Sequence, residues 1–270
     1  MLRGGEGAPC ATIVHMIMPL TDRNFDKMAD KFESRIYGTF KGELRLELLQ
    51  EDLSVLREGA PLDVWDAGCG SGRMALWFAQ SGHRVTGCDI SQKMIDLTRV
   101  RFTEAGEEIV LYHRPAQELV ASLPPQDLIL FHAVIEWLAD PIGTLETLAQ
   151  QVKPGGYLSL MFFNHHALIY RNAMRGEWRL KYLLEESWWG KGKNLTPPYP
   201  QKPEELVAWL EAHGFAIQTH TGIRVFHDYM HDEARDNTNM EELHELEQRY
   251  CRGETFRNMG RYVHLLAQRR

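Results

Sequence analysis

A run of small and acidic residues in the first third of the chain has the composition of a ligand-binding turn. Residues 66–72, DAGCGSG, follow a short apolar run and precede a helical pattern that begins at Arg73. Glycines let a backbone approach a ligand closely, because no side chain intervenes. In sheets whose strands alternate with helices, ligands bind where the strands end. The run therefore predicts a ligand site at the carboxyl end of the first strand.

The spacing of the glycines separates two kinds of ligand. A dinucleotide fingerprint needs glycine at the first, third and sixth positions, and the sixth position counted from Gly68 is the bulky Arg73. The turn therefore favours a ligand without a pyrophosphate. Asp89 ends the next apolar run, about 20 residues on, where a carboxylate can accept hydrogen bonds from a ribose diol. The alternative is that Asp89 caps the following helix, a role that Ser91 could share.

Apolar runs of strand length alternate with helical patterns along most of the chain. The predicted strands are residues 62–66, 84–88, 109–113, 127–132, 157–163, 215–219 and 262–267, and residues 154–156 form a turn. The predicted helices are residues 24–56, 73–80, 92–105, 144–152, 204–213 and 240–250. This alternation predicts an α/β fold: a doubly wound, mostly parallel seven-stranded sheet with helices on both faces and further helices before it.

Two segments interrupt the regular pattern. Residues 171–202 are basic and rich in tryptophan and tyrosine, which predicts an inserted lid at about residues 165–203 of a single domain spanning 22–270. Residues 1–21 are expected to be an N-terminal extension, disordered or arising from an upstream start codon. Its apolar run is broken by His15 and no small-residue cleavage site follows, which argues against a signal peptide.

Composition excludes several classes of protein. The 270 residues are 44% hydrophobic and 25% charged, as in ordinary globular domains, and no apolar run approaches the roughly 20 residues of a membrane span. A net charge of −7 argues against coating nucleic acid by bulk electrostatics, although it does not exclude a local basic patch. The four cysteines form no Cys-x-x-Cys, so neither a disulfide framework nor a zinc site is expected, and the chain is predicted to be cytoplasmic.

Three motifs together resemble those of class I S-adenosylmethionine-dependent methyltransferases, which have a Rossmann-like fold. They are residues 64–72, Asp89 and residues 153–156. Further segments, at residues 23–26, 36–39, 41–45, 128–137, 158–164, 222–229 and 247–252, are similar to the bacterial tRNA 5-carboxymethoxyuridine methyltransferases. The resemblance runs from about residue 22 to the C-terminus. It implies S-adenosylmethionine as the cofactor and the carboxymethoxy group of a wobble uridine in tRNA as the acceptor, with a methyl ester as the product.

The resemblance also assigns cofactor-binding residues. Arg45 would bind the methionine carboxylate, Asp89 the ribose, and Ala116 and Gln117 the adenine, while His132 would line the site. The complete set of implied cofactor-binding residues is Arg45, Asp66, Gly68, Cys69, Gly70, Asp89, Ile90, Ala116, Gln117, Glu118 and His132. Glu118 departs from the family, which usually has aspartate at this position.

An acceptor carboxylate is already ionised at neutral pH, so the reaction needs no general base. The site instead needs donors that orient an anion. The candidates are Tyr37, Asn164, Arg224, His227 and Tyr229. Arg224 lies in a strand-like run at residues 222–226, and we expect it to grip the carboxylate together with Tyr37. The alternative is that Arg224 forms a structural ion pair with the acidic C-terminal helix.

The basic segment is predicted to contact the anticodon loop of tRNA. Cations bind phosphates and flat rings stack on unstacked bases. The cations concerned are Arg171, Arg175, Arg179, Lys181, Lys191 and Lys193. The alternative is a solvated lid whose Trp178, Trp188 and Trp189 pack on the domain. Two other functions stay open: a small-molecule carboxyl or O-methyltransferase, and a non-catalytic S-adenosylmethionine-binding adaptor.

Overall fold

The computed structural model of the chain describes residues 21–26, 38–185 and 196–270. Seven strands lie in these ranges: β1 Asp63–Ala67, β2 Arg84–Asp89, β3 Val110–His113, β4 Gln126–His132, β5 Val152–Phe163, β6 Phe215–Ile223 and β7 Tyr262–Arg269. The helices of the same ranges are α1 Phe40–Arg57, α2 Arg73–Ala79, α3 Gln92–Ala105, α4 Ala116–Leu119, α5 Pro141–Gln150, α6 His165–Arg175, α7 Trp178–Leu184, α8 Pro203–Ala212, α9 Asp232–Asp236, α10 Met240–Tyr250 and α11 Glu254–Arg257. Two 3-10 turns, Ile135–Trp137 and His227–Tyr229, complete the description.

The strands form one sheet in the order β3-β2-β1-β4-β5-β7-β6. β7 runs antiparallel to both of its neighbours, and the other pairings are parallel. The predicted mostly parallel seven-stranded sheet is therefore confirmed. The winding direction reverses between β1 and β4, which leaves a crevice beyond the carboxyl ends of these strands.

Both faces of the sheet are buried, which explains why its strands are apolar without alternation. Along β1, Val64 and Trp65 are fully buried but belong to the cores on opposite faces. Along β4, Leu128 and Ile129 divide in the same way. Successive side chains of a strand point to opposite faces, so a continuous apolar run fills both cores. No helix in the described ranges is long and apolar enough to cross a membrane.

The prediction of a helix over residues 24–56 was wrong at its beginning. Residues 24–26 are not helical, α1 begins at Phe40, and residues 27–37 lie outside the described ranges. The ring of Phe25 instead packs edge-on against Trp137, with 5.1 Å between centroids. Phe25 thus packs against the 3-10 turn after β4.

The predicted turn at residues 154–156 lies inside β5. Gln126 pairs with Val152 and Leu128 with Tyr157, so the intervening residues of β5 bulge outward. Gly155 has φ +76°, which favours glycine at this bulge. The amine of Lys153 bonds Asp63 and Asp127 at 3.0 and 2.9 Å, which ties the bulge to the start of β1.

Candidate functional site

The glycine turn after β1 is held against the neighbouring strand. The N–H groups of Gly68 and Cys69 donate to the carbonyl of Cys88 in β2, at 2.9 and 2.8 Å. Gly68 has φ +91°, and a Cβ there would lie 2.4 Å from a methyl carbon of Val134. Gly70 has φ +54°, but no atom lies within 4 Å of where its Cβ would be. A side chain at position 68 would therefore clash with Val134, whereas Gly70 borders open space.

Asp89 is oriented by backbone donors. Its Oδ2 accepts from the N–H of Gly70 at 3.0 Å and its Oδ1 from the N–H of Ser91 at 2.8 Å. Ser91, rather than Asp89, caps α3, because its hydroxyl accepts from the N–H of Met94. Burial raises the pKa of Asp89 above its ordinary value. The carboxylate retains lone pairs for a further ligand, as a ribose-binding role requires.

One cavity lies at this edge of the sheet, beyond the ends of β1, β2 and β4. All the cofactor-binding residues implied by the resemblance line it, except Glu118. Glu118 is exposed on α4, and the structure gives no support to its predicted place in the site. The longer side chain at this position turns to solvent instead of entering the cavity.

The N-terminal segment forms one wall of the cavity, which the sequence reasoning missed. Asp22, Arg23 and Phe25 all line it. The carboxylate of Asp22 accepts from the amide of Gln117 at 2.7 Å and from the N–H of Ala139 at 2.8 Å. The only sequence signal for this wall was the family resemblance of residues 23–26. Its contacts join sequence positions about a hundred residues apart, which no local pattern reveals.

Arg45 places a buried cation at the other end of the cavity. The side chain is 5% exposed, and its guanidinium lies 4.6 Å from the centroid of the Tyr262 ring. Its Nε has no hydrogen-bond partner among the described residues, so a donor is available to an anion. Asp66 lines the same cavity, where burial and the charge of Asp89 raise its pKa to about 7.

These groups fit S-adenosylmethionine on three counts. The anchored Asp89 offers acceptors for a ribose diol, and the unused Nε of Arg45 suits a carboxylate. In addition, Gly70 borders open space, which the side chain of any other residue would enter. Ile90 and Ala116 provide apolar contacts near Gln117 at the adenine side.

The turn after β6 presents Arg224. The predicted strand-like run at residues 222–226 was wrong, because β6 ends at Ile223 and Arg224 has φ +62°. The carboxylate of Glu247 in α10 accepts from the N–H groups of Val225, Phe226 and His227, at 2.6, 3.0 and 2.7 Å. These three bonds hold a backbone that an arginine rarely adopts. The acidic C-terminal helix therefore stabilises the Arg224 turn through its backbone, not through an ion pair with its side chain.

Asp228 is surrounded by cations. Its carboxylate lies 3.3 Å from Arg224 Nε, 3.7 Å from Lys41 Nζ and 3.8 Å from Arg261 Nε. Arg171 donates to its backbone carbonyl at 3.1 Å. Burial acts to raise the pKa of Asp228, but the surrounding cations hold it well below its ordinary value. Since three cations lie within 4 Å of one buried carboxylate and Arg171 binds the backbone carbonyl beside it, the cluster carries excess positive charge and can bind an anion.

Tyr262 joins this cation cluster to the cofactor cavity. Its ring lies 4.6 Å from the Arg45 guanidinium carbon and 5.3 Å from that of Arg224. Tyr262 itself lines the cavity. The expected methionine end of the cofactor and the excess positive charge therefore both border one aromatic ring. Arg261 and Lys41 are members of the cluster that sequence reasoning missed, because their contacts form only after folding.

Three other acceptor candidates have structural partners. Asn164 is fully buried, and its amide donates to the carbonyls of Asn258 and Gly260 while its oxygen accepts from His166. The hydroxyl of Tyr229 donates to the carbonyl of Met259. His227 stacks on Phe40 and bonds Asp228. These three predictions are therefore not supported as acceptor contacts, and Tyr37 lies outside the described residues.

The predicted RNA-binding segment is partly described. Its α6 and α7 expose Tyr170, Trp178 and Tyr182, at 44, 53 and 41%. Arg175 and Lys181 are exposed among these rings, and the guanidinium of Arg179 lies 4.5 Å from the Trp178 ring. Trp178, one of the three tryptophans that the lid alternative packs on the domain, is thus about half exposed. Lys191, Lys193, Trp188 and Trp189 lie outside the described residues.

Comparisons with known proteins identify the family of the chain. Residues 35–220 match the family described as a methyltransferase domain. The chain is 43% identical to the tRNA 5-carboxymethoxyuridine methyltransferase of Escherichia coli, over 93% of this chain and 97% of that protein. It is 29% identical to a ubiquinone biosynthesis O-methyltransferase of Stutzerimonas stutzeri, over 67% of this chain and 74% of that protein.

A solved structure supports the fold independently. The magnesium protoporphyrin IX methyltransferase of Synechocystis, crystallised with bound S-adenosylhomocysteine, aligns with a TM-score of 0.58. The alignment covers 91% of this chain and 96% of that chain at 18% identity. At this identity the likeness concerns the fold alone, a sheet with the same general architecture.

Replacing Asp89 tests the cavity directly. In Asp89→Asn the charged acceptor is lost, and we expect the affinity for S-adenosylhomocysteine to fall roughly 10- to 100-fold, since a hydrogen bond to a charged group contributes about 1.5–3 kcal/mol. Isothermal titration calorimetry measures the change. Glu118→Gln is the matched control, because Glu118 is exposed outside the cavity and its variant should bind normally. Equal losses in both variants would contradict the assignment.

Proposed function

Because the chain belongs to the methyltransferase domain family, within the group that includes the Escherichia coli tRNA 5-carboxymethoxyuridine methyltransferase, we propose that it methylates the carboxylate of 5-carboxymethoxyuridine in tRNA. The product is the methyl ester. The observation that carries this proposal is a buried excess of positive charge beside the cofactor cavity, where a carboxylate acceptor needs it.

The cofactor cavity supplies orientation. When bound, S-adenosylmethionine provides a methyl group on a positively charged sulfur. Asp89 holds the ribose and Arg45 the methionine carboxylate. The cofactor is therefore fixed by opposite charges on the two sides of its sulfur. Fixing both ends aligns the methyl group for in-line displacement, and this alignment is the main contribution an enzyme makes to such a transfer.

The cation cluster orients the acceptor. A carboxyl group titrates near pH 4, so its oxygen is a ready nucleophile at neutral pH and no proton has to be removed. Arg224 offers a rigid fork of donors, whose Nε lies 3.3 Å from the Asp228 carboxylate. Arg224 and Arg261 are both held near Asp228, which fixes their positions before the acceptor arrives. Such preorganised charge directs one carboxylate oxygen toward the cavity.

Exposed aromatic rings and cations lie on α6 and α7, and α6 contacts the cation cluster around Asp228. Arg171 donates to the carbonyl of Asp228, and Tyr170 packs edge-on against Tyr229 at 5.1 Å. The helix that carries exposed Arg175 is therefore anchored to the cation cluster. A nucleotide whose carboxylate reaches this cluster would bring its neighbouring phosphates and bases over α6 and α7.

A small-molecule acceptor is the second candidate, supported by the ubiquinone biosynthesis O-methyltransferase relatives at 24–33% identity. A phenolic hydroxyl must lose its proton during methyl transfer, which calls for a general base. A carboxylate requires none. The cation cluster therefore favours the carboxylate acceptor, and its place beside the cofactor cavity argues against a non-catalytic adaptor.

The acceptor is tested with labelled cofactor. Bulk tRNA from cells lacking the gene should receive base-labile label, because methyl esters hydrolyse in alkali. Label confined to small molecules would support the second candidate, and no transfer would support an adaptor. The tRNA from wild-type cells, already esterified, serves as the control and should accept less label.

Removing Arg224 separates acceptor binding from cofactor binding. In Arg224→Ala we expect kcat/KM for tRNA to fall by at least about 30-fold, since truncating one partner of a buried charge cluster costs about 2 kcal/mol or more. The affinity for S-adenosylhomocysteine should stay within about twofold of wild type. Arg249→Ala is the matched control, because Arg249 pairs with Glu245 on the exposed face of α10. A parallel loss of cofactor affinity would indicate a structural role for Arg224.

The surface of α6 and α7 is tested by its salt dependence. Combining Arg175→Ala, Arg179→Ala and Lys181→Ala should weaken tRNA binding and reduce the slope of log affinity against log salt by roughly 0.7 for each phosphate that is no longer neutralised. Filter binding at several salt concentrations measures both. Arg84→Ala, Arg99→Ala and Arg249→Ala form the control set, since these exposed cations lie on other elements. Equal slopes in the two sets would remove this surface from the proposal.

A further inference from the structure

Four buried side chains form a continuous hydrogen-bonded chain through the core of the sheet. His264 Nδ1 lies 2.7 Å from Asp52 Oδ2, and His264 Nε2 lies 2.8 Å from the hydroxyl of Ser159. The same hydroxyl lies 2.7 Å from His132 Nε2. The chain thus links α1, β7, β5 and β4, and its last member lines the cofactor cavity. A residue that only lines a cavity does not need three further polar side chains hydrogen-bonded in series to it, as His132 has.

The order of serine, histidine and aspartate suggests a hydrolase triad, but the burial excludes that role. Ser159 and His264 are fully buried, and the side chain of Asp52 is 1% exposed. The Ser159 hydroxyl is occupied between two imidazoles. No substrate can approach such a hydroxyl. The hydrogen-bonded series therefore acts through its terminal members, Asp52 and His132.

The charge at one end fixes the direction of the first hydrogen bond. Arg252 donates to Asp52 at 2.6 and 3.0 Å. Burial acts to raise the pKa of Asp52, but its bonds to His264 and Arg252 lower it below its ordinary value, so the carboxylate is ionised. An ionised carboxylate only accepts, and therefore His264 Nδ1 donates. Arg252 is shared by Asp52 and Glu51, and His264 is fully buried, where a neutral imidazole avoids the cost of a buried charge.

A neutral His264 determines the tautomer of His132. With its proton on Nδ1, His264 accepts at Nε2 from the Ser159 hydroxyl, whose oxygen then accepts from His132 Nε2–H. Burial is the main cause that keeps the pKa of His132 well below its ordinary value, so this ring is neutral. A neutral imidazole has one N–H, which leaves a lone pair on Nδ1.

We propose that Asp52, His264 and Ser159 are positioning residues that hold His132 in its Nε2–H tautomer, with Nδ1 accepting a hydrogen bond from the ammonium group of the cofactor's methionine end. Within the described ranges, Nδ1 has no hydrogen-bond partner in the protein. His132 shares the cavity wall with Arg45 and Tyr262. An α-amino acid carries a carboxylate and an ammonium on one carbon, so a cation and a neutral acceptor side by side match its two groups. This inference rests on the proposed binding of S-adenosylmethionine.

The tautomer is measured directly by nitrogen NMR. In full-length protein labelled with 15N-histidine, the His132 ring, assigned by its loss in His132→Gln, should show a protonated Nε2 and an unprotonated Nδ1. Adding S-adenosylhomocysteine should shift the Nδ1 signal. A protonated Nδ1, as would follow from an imidazolium at His264, would overturn the proposal without requiring any variant of the relay.

Ligand analogues test the consequence. In Ser159→Ala the Nε2–H loses its acceptor, so we expect affinity for S-adenosylhomocysteine to fall about five- to tenfold. Affinity for its analogue without the amino group, and for 5′-methylthioadenosine, should stay within about twofold of wild type. A structural disturbance would weaken the binding of all three ligands alike, and that result would overturn the proposal. The proposal would also fail if the variant still preferred the ligand with the amino group as strongly as the wild-type protein does.

Thr221→Val is the matched control. Thr221 is a fully buried hydroxyl residue that pairs with His264 across β6 and β7 but lies outside the hydrogen-bonded chain. It should keep the wild-type preference for the amino group. If wild-type protein bound no S-adenosylhomocysteine at all, the proposed function would fail, whereas normal wild-type binding with no selective loss in Ser159→Ala would refute only the role of the relay.

Discussion

The site depends on the close pairing of β1 and β2 at their carboxyl ends. Ala67 pairs with Cys88, and the Cys88 carbonyl then receives two N–H groups of the glycine turn. One residue later, Asp89 receives the N–H of Gly70. A single strand register thus sets both the shape of the turn and the position of the acid that faces the cavity. A shift of one residue would turn Asp89 to the other face of the sheet.

Buried charge is arranged differently around Arg45 and around Arg224, which both lie near the Tyr262 ring. At the cofactor end, the Arg45 guanidinium keeps an unused donor, and the neutral His132 beside it adds no positive charge. At the acceptor end, several cations converge on Asp228. Burying cations is costly unless anions accompany them. Both places therefore favour an anionic ligand, and the ring of Tyr262 borders both of them.

Function also depends on elements that lie far from the cavity. Glu247 in α10 holds the Arg224 turn by three backbone N–H groups. Asp52 in α1 reaches His132 only through two intervening side chains. The helices before and after the sheet therefore do more than cover its faces. They fix the orientation of side chains that the strand ends alone would leave free to rotate.

Much of the architecture followed from local pattern. The bounds of α3 and α10 agree with the predicted residues 92–105 and 240–250, because both helices have apolar faces with a clear period and well-defined ends. The beginning of the first helix did not follow, since residues 24–26 are not helical and Phe25 lines the cavity instead. Arg224 was recognised as an acceptor candidate but assigned to a strand-like run, because sequence alone does not reveal its positive φ.

By itself, the sequence determined the order of strands and helices, the glycine turn and the acid at the end of β2. These features follow from residue type and short spacing, which act within one or two turns of chain. Only the tertiary structure decided which cations surround Asp228, that Glu118 lies outside the cavity, and that Asp52 is connected to His132. Those outcomes depend on contacts between residues up to about two hundred positions apart, and such contacts exist only once the sheet has assembled.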